Sequence, residues 1–185
     1  MSNIFIGIMA YQGAGHLFAR VFDGLKLKYK FIKSISDLND DLTFLIMPGG
    51  ESSVQADFLN RYGFVEKILN MKINVLGTCA GMILLSSYKS KLFNGFGIFD
   101  VDLERNFYGS QVESVFYKSD KGNEICFIRA PAISKINDKE IEVLDTHREK
   151  PILIRKDNFY ASSFHPEISQ SSKYEVLMDL IFKKL

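Results

Sequence analysis

Cys79 stands in the run Gly77-Thr78-Cys79-Ala80-Gly81, between an apolar stretch and a helix-like one. A core thiol needs no glycines beside it; a thiol projecting from a sharp turn does, because a Cβ at the flanking positions would clash. Strand, turn and helix in this order form the context of a nucleophile elbow, with sulfur in place of the serine oxygen of G-x-S-x-G. The helix start favours thiolate over thiol, and the N–H of Ala80 is placed to donate to an oxyanion. Cys126 is the contrast: it lies in the apolar run ICFI with no turn, and reads as core.

A thiolate nucleophile needs a base, and the base needs a group to orient it. Of three histidines, His16 follows a glycine loop and His147 sits in the charged run THREK, so both read as surface or loop residues. His165 lies in ASSFHPEIS, just after a strand-like run. Pro166 fixes the bend, and Glu167 projects from the same side of an extended segment. A carboxylate there holds the imidazole in one tautomer and leaves its other nitrogen for the thiol.

These groups have to be held by a scaffold. Residues 4–9, 28–32, 42–47 and 73–76 are short apolar or strand-like runs. Helical patterns follow within 12–25, where Gly24 marks the end, and over 54–59, 62–70 and 79–88, with Leu17, Val21, Phe22 and Leu25 on one stripe and Phe64, Val65, Ile68 and Leu69 on another. Strand and helix in alternation predict an α/β three-layer sandwich around a mostly parallel sheet. Strand-like runs at 98–103, 111–117, 124–128, 141–144, 152–155 and 159–162 crowd the second half, several of them as antiparallel strands at the sheet edge. A final amphipathic helix over 173–183 presents Tyr174, Leu177, Met178 and Ile181 on its apolar side. No Pro/Gly/Ser-rich linker separates the halves, so residues 1–185 read as one domain.

The net charge of +1 gives no footing for nucleic acid or an anionic membrane as partner. Two cysteines make no disulfide framework, which suits a reducing cytoplasm. No run approaches membrane length, and no His/Cys cluster has metal-ligand spacing, so neither metal nor cofactor is expected.

GTCAG with a distant SFHPE, and PGGES after the third strand, resemble the class I (triad) glutamine amidotransferases, whose fold is flavodoxin-like. ERNFYGSQ at 104–111 and FIRAP at 127–131, with LIMPGGESS, GTCAGMILL and the early YQGA, narrow the resemblance to the glutaminase subunits of pyridoxal 5′-phosphate synthase, the PdxT family. The resemblance implies Cys79 as nucleophile, His165 as base and Glu167 as the orienting carboxylate. It implies a glutamine site lined by Gly49, Gly50 and Glu51, with Arg105 and the Ile128-Arg129 pair fixing the substrate's charged end. Backbone N–H groups at Gly50 and Ala80 would form the oxyanion hole. The implied partner is the barrel-shaped synthase subunit PdxS, which receives ammonia. This chain departs from the family pattern at Tyr11, where leucine is usual, in its short link from QGA to Gly15-His16, and at Ser110.

The residue chemistry agrees with glutamine as substrate. A guanidinium grips an α-carboxylate through two parallel bonds, and Glu51 answers the α-ammonium. Two adjacent glycines at 49–50 leave a peptide free to flip when the partner binds. Alternatives of the same chemistry are the glutaminase subunit of imidazole glycerol phosphate synthase and a related thiol-elbow cysteine hydrolase. A regulatory subunit with a dead site is the reading outside enzymology.

Overall fold

A computed structural model describes residues 4–109, 115–170 and 174–182. Seven strands form the main sheet in the order β2-β1-β3-β4-β11-β10-β9. They are β1 (Phe5–Met9), β2 (Lys28–Ile32), β3 (Phe44–Met47), β4 (Asn74–Thr78), β9 (Glu142–His147), β10 (Lys150–Lys156) and β11 (Phe159–Ser162). The first five in that order are parallel, and β10 and β9 close one edge antiparallel. This is the mostly parallel sheet with antiparallel edge strands that the alternating pattern predicts. The parallel part has the doubly wound order of a flavodoxin-like fold. Its central strands are buried from end to end, as parallel strands covered on both faces must be.

Helices cover the two faces. α1 (Gly15–Gly24) and α5 (Glu175–Phe182) bury Phe18, Phe22, Leu177 and Leu180 on one face, against Ile6, Ile8 and Ile46. α2 (Ser52–Arg61), α3 (Phe64–Asn70) and α4 (Ala80–Leu85) bury Leu59, Phe64, Ile68 and Leu84 on the other, against Leu45 and Val75. Two antiparallel ribbons, β5 (Val101–Tyr108) with β8 (Ala130–Ile136) and β6 (Val115–Lys118) with β7 (Glu124–Phe127), lie outside the main sheet.

Four elements differ from the sequence reading. α4 stops at Leu85, three residues short of the predicted 88, because residues 96–99 fold back on its last turn. Phe96 N–H donates to Leu84 O at 2.7 Å and Ile98 N–H to Leu85 O at 3.0 Å. That return uses Ile98 and Phe99, so the strand predicted from 98 begins at Val101. β8 lies in a run the pattern missed, since Pro131 cannot donate to a ladder. It is accommodated because β5 bulges between Glu104 and Tyr108, facing Ala132 and Ala130. In α5 the buried side is Val176, Leu177, Leu180 and Ile181, while Met178 is half-buried. The predicted strand over 111–117 is described only from Val115, and Ser110 lies outside the described residues.

Tyr11, just past β1, packs its ring against Phe58 of α2 at 5.8 Å between centroids. Its hydroxyl is buried without a hydrogen-bond partner among the described residues, and burial pushes the phenol pKa up. A buried unpaired hydroxyl costs ~1–3 kcal/mol, so Tyr11→Phe should fold as well as the parent or up to ~1 kcal/mol better. Chemical denaturation of both proteins checks this; a loss of more than ~1 kcal/mol contradicts it.

Candidate active site

The site is built on the C-terminal ends of neighbouring parallel strands. β4 and β11 pair in register with Ser162 opposite Thr78, so the residues that follow each strand emerge side by side. Cys79 follows β4, and its N–H donates to Ser162 O at 2.8 Å. Two residues, Ser163 and Phe164, carry β11 into His165, whose N–H donates to Cys126 O at 2.9 Å. On the other flank of β4, β3 ends in the Pro48-Gly49-Gly50 turn.

Cys79 adopts φ 51° and ψ −102°, a conformation that side chains other than glycine rarely take. The strained turn aims the sulfur off the helix start, and the flanking glycines permit it. A Cβ on Gly77 would lie 2.6 Å from the backbone of Gly81, and one on Gly81 would lie 2.1 Å from Met47 O. Cys79 is 8% exposed, and its Sγ lies 3.9 Å from Ile128 O. Cys126 is fully buried, as its apolar run predicts.

His165 Nδ1 is 2.8 Å from Glu167 Oε1, which leaves Nε2 for the sulfur. Both residues are buried. Burial alone lowers the imidazole's pKa, but the Glu167 charge, the hydrogen bonds to Cys79 and Glu167, and the sulfur's own charge outweigh it, pushing it up to about 10. The direction favours the protonated ring beside the Glu167 carboxylate.

A cavity of about 360 Å³ brings the predicted residues together: Gly49, Gly50, Glu51, Cys79, Ala80, Arg105, Ile128, Arg129 and His165 all line it. Glu167 does not; it stands behind the imidazole. Arg105 reaches Glu51 at 3.5 Å, an exposed pair of opposite charges at the cavity wall. Asn106 and Arg129, with φ of 55° and 43°, join Cys79 as strained non-glycine residues lining the same space. Asn106 and Gln12 also line it and were not singled out by sequence reasoning; Asn106 sits inside ERNFYGSQ, where only its neighbour Arg105 carried an assigned role. A larger groove of about 660 Å³ lies at the opposite end of the strands, around Asn39, Asp40, Glu66, Lys67 and Lys72, and is lined by none of the predicted site residues.

His16 is exposed, as expected. His147 is not a surface residue. It ends β9, and the hairpin turn consists only of Arg148 and Glu149, with φ of 51° and 65°. The ring is buried against Tyr108, Tyr117 and Phe127, with Nδ1 3.0 Å from Lys118 O.

A model of the SNO glutamine amidotransferase family matches residues 8–182. The chain is 40% identical over 168 residues to the pyridoxal 5′-phosphate synthase subunit PdxT of Methanococcus vannielii, covering 89% of each. It is 35% identical to PdxT of Francisella philomiragia, covering 92% of this chain and 94% of that one. The crystal structure of a glutamine amidotransferase superposes with a TM-score of 0.81 at 28% identity, covering 95% and 97% of the two chains. PurLQS from Thermotoga maritima, at 14% identity and a TM-score of 0.66, shares the fold.

The raised imidazole pKa has a consequence for pH. The folded value of about 10 exceeds the ordinary 6.5, so the stability from this ion pair is complete below pH 6.5 and is lost as pH rises through 10. NMR titration of the His165 ring should show an imidazolium still present at pH 8, and Glu167→Gln should move its midpoint down toward 6.5. A parent ring that is neutral at pH 8 contradicts the assignment.

Proposed function

This chain belongs to the SNO glutamine amidotransferase family, and on that footing we propose that it is the glutaminase subunit of a pyridoxal 5′-phosphate synthase, acting as one domain. It hydrolyses L-glutamine to L-glutamate and ammonia and hands the ammonia to the synthase subunit PdxS. The observation that carries the reading is the imidazole of His165, held by Glu167 at 2.8 Å and lining the same cavity as Cys79.

The cavity wall suits the substrate. The Glu51–Arg105 pair opens to receive a zwitterion: the carboxylate of glutamine takes the guanidinium and its ammonium takes Glu51. Arg129 adds a second cation at the same wall. The carboxamide then faces the sulfur.

Cys79, as thiolate, attacks the carboxamide carbon, and the electron pair of the C=O bond moves to oxygen. The oxyanion takes hydrogen bonds from Ala80 N–H, at the start of a helix where the first amides lack intrahelical partners, and from Gly50 N–H. One such donor is worth about 3 kcal/mol in the transition state. The imidazolium of His165 gives its proton to the leaving nitrogen, the C–N bond breaks, and ammonia departs. Water then loses a proton to His165 and attacks the thioester, releasing glutamate and restoring the thiolate. Glu167 keeps the imidazole in register and offsets its charge.

Gly49 O accepts from Ala14 N–H at 2.9 Å, so in a trans peptide the N–H of Gly50 points away from Ala14. Docking of PdxS that rotates this peptide couples hydrolysis to delivery. Two cysteines, too few for a disulfide framework, support a reducing cytoplasm.

Glutamate release from L-glutamine should occur with PdxS present, be faster than without it, and vanish in Cys79→Ala. Equal rates with and without PdxS contradict the coupling, and an active Cys79→Ala contradicts the nucleophile. Arg105→Ala should raise KM about 10- to 100-fold with a smaller change in kcat, as expected for a charge-assisted bond of ~1.5–3 kcal/mol made in ground and transition state alike. An unchanged KM removes Arg105 from the substrate site.

A further inference from the structure

Gln55, on the first turns of α2, is wholly buried beneath the turn that follows β3. Its Nε2 donates to Gln12 O at 2.9 Å and to Pro48 O at 3.3 Å. Both partners are carbonyls, so the amide can face them only with its nitrogen, which fixes its orientation. Its Oε1 is then buried with no hydrogen-bond partner among the described residues. An apolar side chain of similar size would avoid the cost of an unpaired acceptor, which is ~1–3 kcal/mol. What the amide gains for that cost is a tie between two separate loops.

The same two loops meet at three other points. Gln12 Oε1 accepts from Glu51 N–H at 2.9 Å, and Gly49 O accepts from Ala14 N–H at 2.9 Å. A Cβ on Gly13 would lie 1.9 Å from Gly49 O, so the backbones are in contact there. A Cβ on Gly50 would lie 2.4 Å from Gln55 Nε2, so Gln55 is the floor on which that residue rests. Gly49 is packed in turn against the reacting pair: a Cβ there would meet His165 Cε1 at 2.6 Å and Cys79 Cβ at 3.4 Å. Gln55 touches neither the sulfur nor the cavity, yet it holds the segment that carries the second oxyanion donor.

We propose that Gln55 is a positioning residue that sets the Pro48–Gly50 turn against the Gln12–Ala14 loop and so fixes the oxyanion donor at Gly50. The inference rests on the glutaminase reading above. Gln55→Met keeps the shape of the side chain and removes both N–H donors. With PdxS present, its kcat for glutamate release should fall at least ~10-fold while KM stays within ~2-fold, because a misplaced oxyanion donor is felt only in the transition state. Alkylation of Cys79 by iodoacetamide has no oxyanion to stabilise, and its rate should match the parent's. An unchanged kcat, or an alkylation rate that falls in step with kcat, overturns the proposal. Should Gln55→Met fail to fold, Gln55→Glu keeps volume and polarity. Its carboxyl donates one bond when protonated and none when ionised, so kcat should fall with rising pH more steeply than in the parent. A pH profile parallel to the parent's overturns the proposal. Absence of glutamate release from the parent with PdxS would instead overturn the glutaminase reading itself.

Discussion

The parallel pairing of β4 with β11 is the constraint on which the site depends. Cys79 and His165 are 86 positions apart in sequence, and nothing local brings them together. The register that sets Thr78 opposite Ser162 does so, because both chains leave the sheet at the same height. A slip of one residue would displace one end by ~3.3 Å and turn its side chains to the other face. The slip is opposed by the apolar residues of both strands. Val75 and Ala161 belong to one core face, and Leu76 and Tyr160 to the other, so any shift exchanges their environments.

Around that pair the chain spends local stability on shape. Cys79, Asn106 and Arg129 are non-glycine residues in the left-handed region, and all three border one cavity. Each such residue costs ~1–3 kcal/mol, and it persists only where the surrounding structure over-determines it. The surroundings are of that kind. Cys79 is held between Ser162 O and a helix start backed by Met47; Asn106 sits in the bulge of β5; and Arg129 lies at the corner between β7 and β8. The charges are arranged with the same economy. Glu167 and the sulfur hold a proton on His165, while Glu51 and Arg105 occupy each other at the wall where a zwitterion would bind.

Much of this was legible in the sequence because it is written in residue types with few other uses. Two glycines around a cysteine announce their geometry; the His165–Glu167 segment, read as extended, is instead a turn in which Ile168 N–H donates to His165 O at 3.1 Å, and the turn still brings Glu167 to the imidazole. Apolar runs of four to six residues announce buried parallel strands such as β1 and β3; β11, and the less buried edge strand β2, begin and end where the pattern puts them. What escaped was decided by contacts distant in sequence. α4 ends where residues 96–99 return to its carbonyls, which no helical propensity encodes. His147 is buried because its hairpin turn has only two residues, so a charged run that reads as loop is partly strand. β8 was hidden by Pro131, whose missing donor falls opposite a bulge. Gln55 reads as the polar face of an amphipathic helix until the two carbonyls beneath it are seen.

The most direct test of the account is covalent trapping by a glutamine analogue that carries a diazoketone in place of the carboxamide, followed by mass spectrometry of the digested protein. Such a group reacts only where a nucleophile and a proton donor converge on the carboxamide position. The account predicts a single adduct on Cys79, suppressed by excess L-glutamine, with Cys126 unmodified. An adduct on Cys126 or elsewhere, or labelling of Cys79 that glutamine does not suppress, would contradict it.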